Sequence, residues 1–352
     1  MIQSCFLINK GNRQMPIQPK ARIVGMGSFL PERILTNQDL EEMVETTDDW
    51  IVSRTGIKER RIAGNHETPS LMGFYAAQKA LQESSVPAAD IDMVLVATMT
   101  PDYITPSTAA IIQAKLGASS AAALDIQAAC TGFLYGLSIA KAYIEAGIYR
   151  NILLIASEKL STIINYKDRN TCVLFGDGAA AAVISNRGKG FSLDAFCLGS
   201  DGEVAELLMI PAGGARQPSS VETVTQGLHF LKMEGKEVFK HAVRRMGAAA
   251  KECLVKAGIT EEEIDWLVPH QANIRIIEAL AKSFNLPSER VYKTLHKYGN
   301  TSASSVAIAL EELQSENQFS NGEKLLLVGF GAGLTWAAAV VTQIDDLSSS
   351  FD

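Results

Sequence analysis

The sequence predicts an α/β fold in which one arrangement of helices and strands is written twice. Helix-period stretches alternate with short, continuously apolar strands, the pattern of mainly parallel sheets covered by helices on both faces. The segment Ala80–Val86 through Ile91–Val96 lines up without a gap on Cys253–Ile259 through Ile264–Val268, each reading helix end, turn, Ile-Asp, apolar strand. A second echo pairs Asn151–Ile155 and Phe175–Gly178 with Lys324–Val328 and Phe330–Gly333, each glycine turn leading into an Ala/Val-rich strand. Two echoes in the same order imply gene duplication. The join is expected near Gly188–Gly190, which gives halves of 21–189 and 190–352.

Composition narrows the class. The chain has 352 residues, 47% of them hydrophobic and 20% charged, enough for two globular units with a large core. No apolar run approaches the roughly 20 residues that span a bilayer, and residues 1–20 lack the charged-then-apolar order of a secretory signal, so a cytoplasmic protein with no membrane partner is expected. Five scattered cysteines offer neither a close zinc-type pair nor a disulfide framework, so reduced thiols follow. A net charge of −7 disfavours nucleic acid as a partner while leaving room for a local basic patch.

In chain order, residues 1–20 are polar and unpatterned and read as a disordered leader or a misassigned start. Ala21–Ser28 reads as a strand running into a glycine-containing turn, and Thr36–Asp39 as a capping-box start to a helix. A dinucleotide-binding loop is rejected here, because the third glycine of that fingerprint would fall at Leu30. Thr68 caps a helix opened by Pro69 and ending near Ser85, and Ile91–Val96 is a buried strand.

Three residues stand where chemistry is done. Cys130 follows the short run Leu124–Ile126 and precedes a helix marked by Phe133, Leu134, Leu137, Ala140, Tyr143 and Ile144 and stopped by Gly147. At a helix entrance, free N–H groups and the dipole favour a thiolate, and Ala128, Ala129 and Gly132 leave room for a substrate. The alternative for Cys130 is ordinary burial, common for free cysteine. His270 follows the strand of the second echo and projects from a strand end, where open α/β sheets bind ligands, although a lone histidine is usually structural. Asn300, among small residues before an apolar helix, reads on spacing alone as a helix cap.

The motifs around Cys130 (Ala128–Phe133), His270 (Pro269–Asn273), Asn300 (Gly299–Ser304) and Phe330 (Gly329–Trp336) resemble, in order and spacing, the β-ketoacyl-acyl carrier protein synthase III family. Asp49–Ile57, Asp168–Thr171, Phe175–Ala179 and Met233–Phe239 extend the match over about residues 21–345. Thr131 and Ser304 stand where many members have alanine, and Asn170 where some have glycine. The resemblance implies a thiolase-like five-layer αβαβα fold with internal duplication, a homodimer, and the condensation that primes fatty-acid synthesis. It implies that Cys130 takes the acyl group from an acyl-CoA, with its own N–H and that of Ala332 holding the oxyanion. His270 and Asn300 would then stabilise the enolate left when malonyl-acyl carrier protein loses carbon dioxide. Neither metal nor redox cofactor is required, the coenzyme A thioester being a substrate.

Binding residues carry over the same way. Trp50 and Arg169 would sandwich the adenine of coenzyme A, with Arg54 and Thr55 beside them. Met233, Gly235, Phe239 and Asn273 would line the pantetheine tunnel, their alternative being core packing. Thr105, before Pro106, would reach into the partner's acyl pocket, where its small size leaves room for longer primers; otherwise it caps a helix opened by Pro106. Between Lys232 and Lys256 stand seven basic residues against three acids, with Lys236, Lys240 and Arg244 on one helical face. With Arg275 and Lys282 they form an expected carrier-protein docking patch, although a solvated face would look the same.

Other readings meet named residues. A chalcone-synthase-like enzyme shares Cys-His-Asn, but Trp50/Arg54, Asp168-Arg169 and the basic helix favour the fatty-acid enzyme, with starter-unit synthases of secondary metabolism as the runner-up. A thiolase needs a second cysteine in the Gly329–Gly333 turn, which has none. A papain-like hydrolase needs Cys-Gly-x-Cys-Trp, which is absent. A non-catalytic homologue would be expected to lose Cys130 or His270.

Overall fold

The computed structural model describes residues 20–345. The expected leader therefore lies outside the described residues except for Lys20. The main sheet contains β1 (Arg22–Phe29), β2 (Met93–Ala97), β3 (Ala122–Ile126), β4 (Asn151–Glu158), β5 (Gly178–Ser185), β6 (Gly190–Ser200), β7 (Trp266–Pro269), β8 (Lys324–Gly331) and β9 (Thr335–Ile344). Helices of eight residues or more are α1 (Asp48–Thr55), α2 (Pro69–Ser84), α3 (Thr108–Leu116), α4 (Gly132–Glu145), α5 (Gly235–Ala257), α6 (Ile274–Ser283) and α7 (Ser304–Glu316).

The strands pair in the order β7-β8-β9-β6-β1-β5-β4-β2-β3. Strands of the second half lie on one side, those of the first half on the other, and they meet where β1 pairs with β6 at Arg22–Ser192 and Ile23–Phe191. Side chains alternate across the strands, so each half-sheet has two buried faces. Val94 and Val96 of β2 with Leu153 and Ile155 of β4 pack against α2 and α3. Their neighbours Leu95 and Leu154 face α4 and α7, which Leu325 and Leu327 of β8 meet from the other side. Leu326 and Val328 of β8 point outward to α5 and α6. Three apolar layers separated by two half-sheets make the five-layer αβαβα architecture.

The sheet is mixed, which corrects the expectation of mainly parallel strands. Only β7–β8, β2–β3 and β2–β4 run parallel; β1–β5, β4–β5, β8–β9 and β6–β9 are antiparallel. Continuous apolar runs report burial on both faces, and helices on both faces achieve that whatever the strand direction. The two echoes fall on equivalent elements: α2 to β2 repeats as α5 to β7, and antiparallel β4–β5 repeats as β8–β9.

Local signals explain several ends. Thr68 caps α2 by accepting from Leu71 N, with Pro69 in its first turn, and Thr36 and Asp39 form the expected capping box. Gly25 and Gly27 lie inside β1 rather than in a turn after it. A Cβ on Gly25 would stand 2.5 Å from Ser84 N, and one on Gly27 2.5 Å from Lys79 Cβ, so the pair exists to let α2 lie against the strand. Ser107, not Thr105, caps α3, accepting from Ala110 N. Among the described residues no helix is long and apolar enough to cross a membrane.

Candidate functional site

The nucleophile turn is built by close packing of two chain segments. Cys130 sits in the 3-10 turn Ala129–Thr131 that leads into α4, beside the end of β8. A Cβ on Gly331 would lie 2.7 Å from Cys130 N and 3.1 Å from Cys130 Cβ, so only glycine lets the strand end run this close. The Thr131 hydroxyl lies 2.7 Å from Ala128 O and 2.9 Å from Thr335 Oγ1, and Thr335 reaches Ala332 O at 3.0 Å. These bonds lock the Cys130 turn to the Ala332 loop. Ala129 (φ +44°) and Ser302 (φ +53°) hold left-handed backbone, which costs a non-glycine residue about 1–2 kcal/mol and persists only where surroundings enforce it.

His270 leaves the end of β7 with its N–H donated to Val328 O of β8 at 2.7 Å. Its Nδ1 lies 2.5 Å from Ser305 Oγ, and that oxygen is also approached by Gln271 N at 3.4 Å. With Gln271 N–H donating to it, Ser305 turns its own proton to Nδ1. We assign the Nε2–H tautomer on this ground. Burial pushes the His270 pKa down to about 4, so the ring is neutral near pH 7 and Nε2 is a donor.

Asn300 is not the helix cap: α7 begins at Ser304, and its Ala303 N-cap makes no side-chain bond. Asn300 is fixed by its backbone, its N–H donating to Leu174 O at 2.8 Å and its C=O accepting from Gly176 N at 3.0 Å. Its Oδ1 accepts from Ser302 N at 2.8 Å. The amide oxygen is thereby occupied, and Nδ2 remains to donate.

Cys130, His270, Asn300, Ala332, Met233, Gly235, Phe239 and Asn273 all line one apolar cavity of about 880 Å³, its open mouth included. Its lining includes the start of α5, where Phe239 is 37% exposed, and the start of α6. Asn273 caps α6 by accepting from Arg275 N at 2.9 Å and donates to Arg54 O at 3.1 Å, tying α6 to α1. On α1, Trp50 has the guanidinium carbons of Arg54 and Arg169 each 4.7 Å from its ring centroid. Thr55 is buried, donating to Ile51 O at 2.7 Å and accepting from Ile57 N at 3.0 Å, so its side chain supports α1 and offers nothing to a ligand. Thr105 is exposed and lies outside this cavity. Lys240, Arg275 and Lys282 are exposed; Lys240 pairs with Glu237 at 2.7 Å, and Arg275 donates to Ser53 O at 3.2 Å.

The electrostatics of the cavity oppose one expectation. Burial pushes the Cys130 thiol up to about 12. Desolvation in an apolar cavity thus works against the thiolate that a helix entrance favours. Sequence reasoning also missed Ser302 and Ser305. Both stand in the Gly299–Ser305 stretch, where two hydroxyls on adjoining turns were a usable signal.

The profile described as 3-oxoacyl-[acyl-carrier-protein] synthase III matches residues 124–202, and that of its C-terminal part residues 254–343. A β-ketoacyl-[acyl-carrier-protein] synthase III of Chlamydia caviae is 57% identical over 327 residues, 93% of this chain and 98% of that protein. The crystal structure of 3-oxoacyl-[acyl-carrier-protein] synthase III from Aquifex aeolicus superposes with a TM-score of 0.85 at 43% identity, covering 92% of this chain and 99% of that one. The priming β-ketosynthase of the R1128 polyketide pathway gives 0.84 at 36% identity, covering 96% of this chain and all of that one.

Proposed function

Because this chain belongs to the β-ketoacyl-acyl carrier protein synthase III family of condensing acyltransferases, we propose that it joins an acyl-CoA primer to malonyl-acyl carrier protein, releasing carbon dioxide and giving a 3-oxoacyl-acyl carrier protein. One observation supports the residue assignment: Cys130, His270 and Asn300 line one cavity, with His270 Nδ1 and Asn300 Oδ1 bonded to Ser305 and Ser302 so that Nε2 and Nδ2 are left to donate. Cys130 Sγ attacks the primer's thioester carbonyl and expels the coenzyme A thiol, while Cys130 N–H and Ala332 N–H receive the oxyanion. His270 and Asn300 then donate to the malonyl thioester oxygen as the carboxylate leaves. The enolate carbon attacks the acyl group and frees Cys130.

Trp50, Arg54 and Arg169 hold the nucleotide end of coenzyme A, and Met233, Gly235, Phe239 and Asn273 hold its pantetheine arm. A base between Trp50 and Arg169 needs about twice a van der Waals separation, roughly 7 Å, so Arg169 moves off its Glu45 carbonyl contact on binding. Lys240, Arg275 and Lys282, with Lys236 and Arg244, receive the acidic carrier around the mouth. The working unit is a homodimer paired along β3, an edge strand with Leu124 44% exposed, beside which Tyr103 and Ile104 are 62% and 95% exposed. Such an apolar edge calls for a covering partner. The same geometry would serve a starter-unit ketosynthase; the 57% identity to a fatty-acid enzyme against 36% to the polyketide one favours fatty-acid initiation.

Cys130→Ala should abolish labelling by radioactive acyl-CoA and condensation while leaving decarboxylation of malonyl-acyl carrier protein. His270→Ala and Asn300→Ala should keep the label and lose decarboxylation. Normal acyl labelling of Cys130→Ala would sink the assignment.

A further inference from the structure

The loop that carries Ala332 joins β8 to β9 and is held at two points. The Thr335 hydroxyl reaches Ala332 O at 3.0 Å and Ala128 O at 3.2 Å, which ties the loop to the Cys130 turn. The second point is Asp201, the residue that follows β6. Its N–H donates to Leu334 O at 2.8 Å, and its C=O accepts from Leu334 N at 2.9 Å. Leu334 stands two residues from Ala332 and is fully buried.

Asp201 is in turn held by α5. Its Oδ2 accepts from Arg245 Nη2 at 2.5 Å, and the two side chains are only 22% and 29% exposed, so this is not a freely swinging surface bridge. Its Oδ1 accepts from Glu203 N at 3.3 Å and opens the 3-10 turn Gly202–Leu207. The Arg245 guanidinium carbon lies 4.4 Å from the ring centroid of Trp336, the residue after Thr335 on β9. That ring packs down on β6, where a Cβ on Gly199 would come within 2.4 Å of the indole. Arginine suits both contacts, because a planar guanidinium stacks by its face while donating by its edge. Neither Arg245 nor Asp201 lines the cavity, so their influence on the chemistry must travel through the loop.

We propose that the Arg245–Asp201 pair, seated on Trp336, positions the loop for acyl transfer: it holds Leu334, and through it the Ala332 N–H, where the oxyanion develops. The inference rests on the acyl-transfer reading of Cys130 and Ala332. Oxyanion donors act by being fixed in advance at hydrogen-bond distance, so small displacements weaken them. Without Arg245, Asp201 would hang on the main chain beyond Ser200, the exposed end of β6. With it, the loop is tied to a 23-residue helix packed against the sheet. The competing role for the pair is the cavity wall, since the turn that Asp201 opens leads to Leu208, which pairs with Met233. A wall defect weakens substrate binding, whereas a displaced oxyanion donor slows the chemical step.

The test uses two variants of the full chain: Arg245→Met keeps an unbranched apolar stem and removes the charge, and Asp201→Asn keeps the main-chain bonds and weakens the pair. Single-turnover acylation by radioactive acetyl-CoA, carried to saturation, should slow about tenfold in each, with the half-saturating concentration within about twofold of wild type. The double variant should be no slower than the slower single. Carbon dioxide release from malonyl-acyl carrier protein, which uses His270 and Asn300, should stay near wild type. Hydrogen exchange of the peptide containing Leu334, read by mass spectrometry without substrate, should quicken in both variants. Saturated acylation at the wild-type rate, a loss confined to half-saturation, an equal loss of decarboxylation, losses that multiply in the double variant, or unchanged exchange would each overturn the proposal. Either variant decides the matter alone should the other fail to fold. A wild-type protein that takes no acyl group from acetyl-CoA would refute the acyl-transfer reading instead, and the exchange of Leu334 would then decide whether the pair holds the loop.

Discussion

Gly331→Ala probes the contact on which the oxyanion site depends. The new Cβ would sit 2.7 Å from Cys130 N, 3.1 Å from its Cβ and 3.3 Å from its Cα, all atoms of a turn clamped by Thr131 and Thr335. Reaching an ordinary contact of 3.4 Å requires the Cys130 N–H to retreat by about 0.7 Å. A donor about 2.9 Å from the developing oxyanion would then stand about 3.6 Å away, beyond a hydrogen bond. Loss of one such donor costs about 3 kcal/mol in the transition state, so kcat for acyl transfer should fall by roughly two orders of magnitude. Overpacking should also cost about 1–3 kcal/mol of stability. Decarboxylation, which uses His270 and Asn300, should change far less. Rapid-quench measurement of radioactive acetyl transfer, beside carbon dioxide release from malonyl-acyl carrier protein, separates the two. Transfer within about threefold of wild type would refute the packing argument and place the oxyanion elsewhere.

Three further outcomes follow from the same geometry. Lys240→Glu or Arg275→Glu should raise KM for the malonyl carrier, most at low salt, and spare KM for acyl-CoA; equal effects on both would dismiss the docking patch. Native enzyme should accept primers longer than acetyl, and Thr105→Phe should shift preference back towards acetyl, since each buried methylene is worth about 0.8 kcal/mol; an unchanged chain-length profile would show that other walls set the limit. His270 carries a folded pKa of about 4 against 6.5 unperturbed, so its contribution to stability is complete above pH 6.5 and disappears as pH falls towards 4. That loss amounts to about 3 kcal/mol and should be missing from the pH–stability curve of His270→Ala, measured by urea unfolding.

Much of this protein was legible in the chain itself. Local chemistry set the Thr36–Asp39 capping box and the Thr68-Pro69 helix start, because a cap involves residues only three apart. The double α/β grammar, and Cys130 and His270 at element ends, were readable because hydrophobic period and glycine turns are local too. Strand direction was not: a run such as Leu153–Ile155 shows that both faces are covered, not which way its neighbour runs. The glycines of β1 misled for the same reason, since the helix that needs them begins some forty residues later. Tertiary structure alone decided the electrostatics. A helix entrance suggests a thiolate, yet burial by Phe330, Leu160 and their neighbours, drawn from distant segments, sets the Cys130 thiol near 12. The orientations of His270 and Asn300 likewise depend on Ser305 and Ser302. Desolvation and hydrogen-bond partners are properties of the assembled cavity, and residues 130, 270, 300 and 302 acquire them only when the layers close around one another.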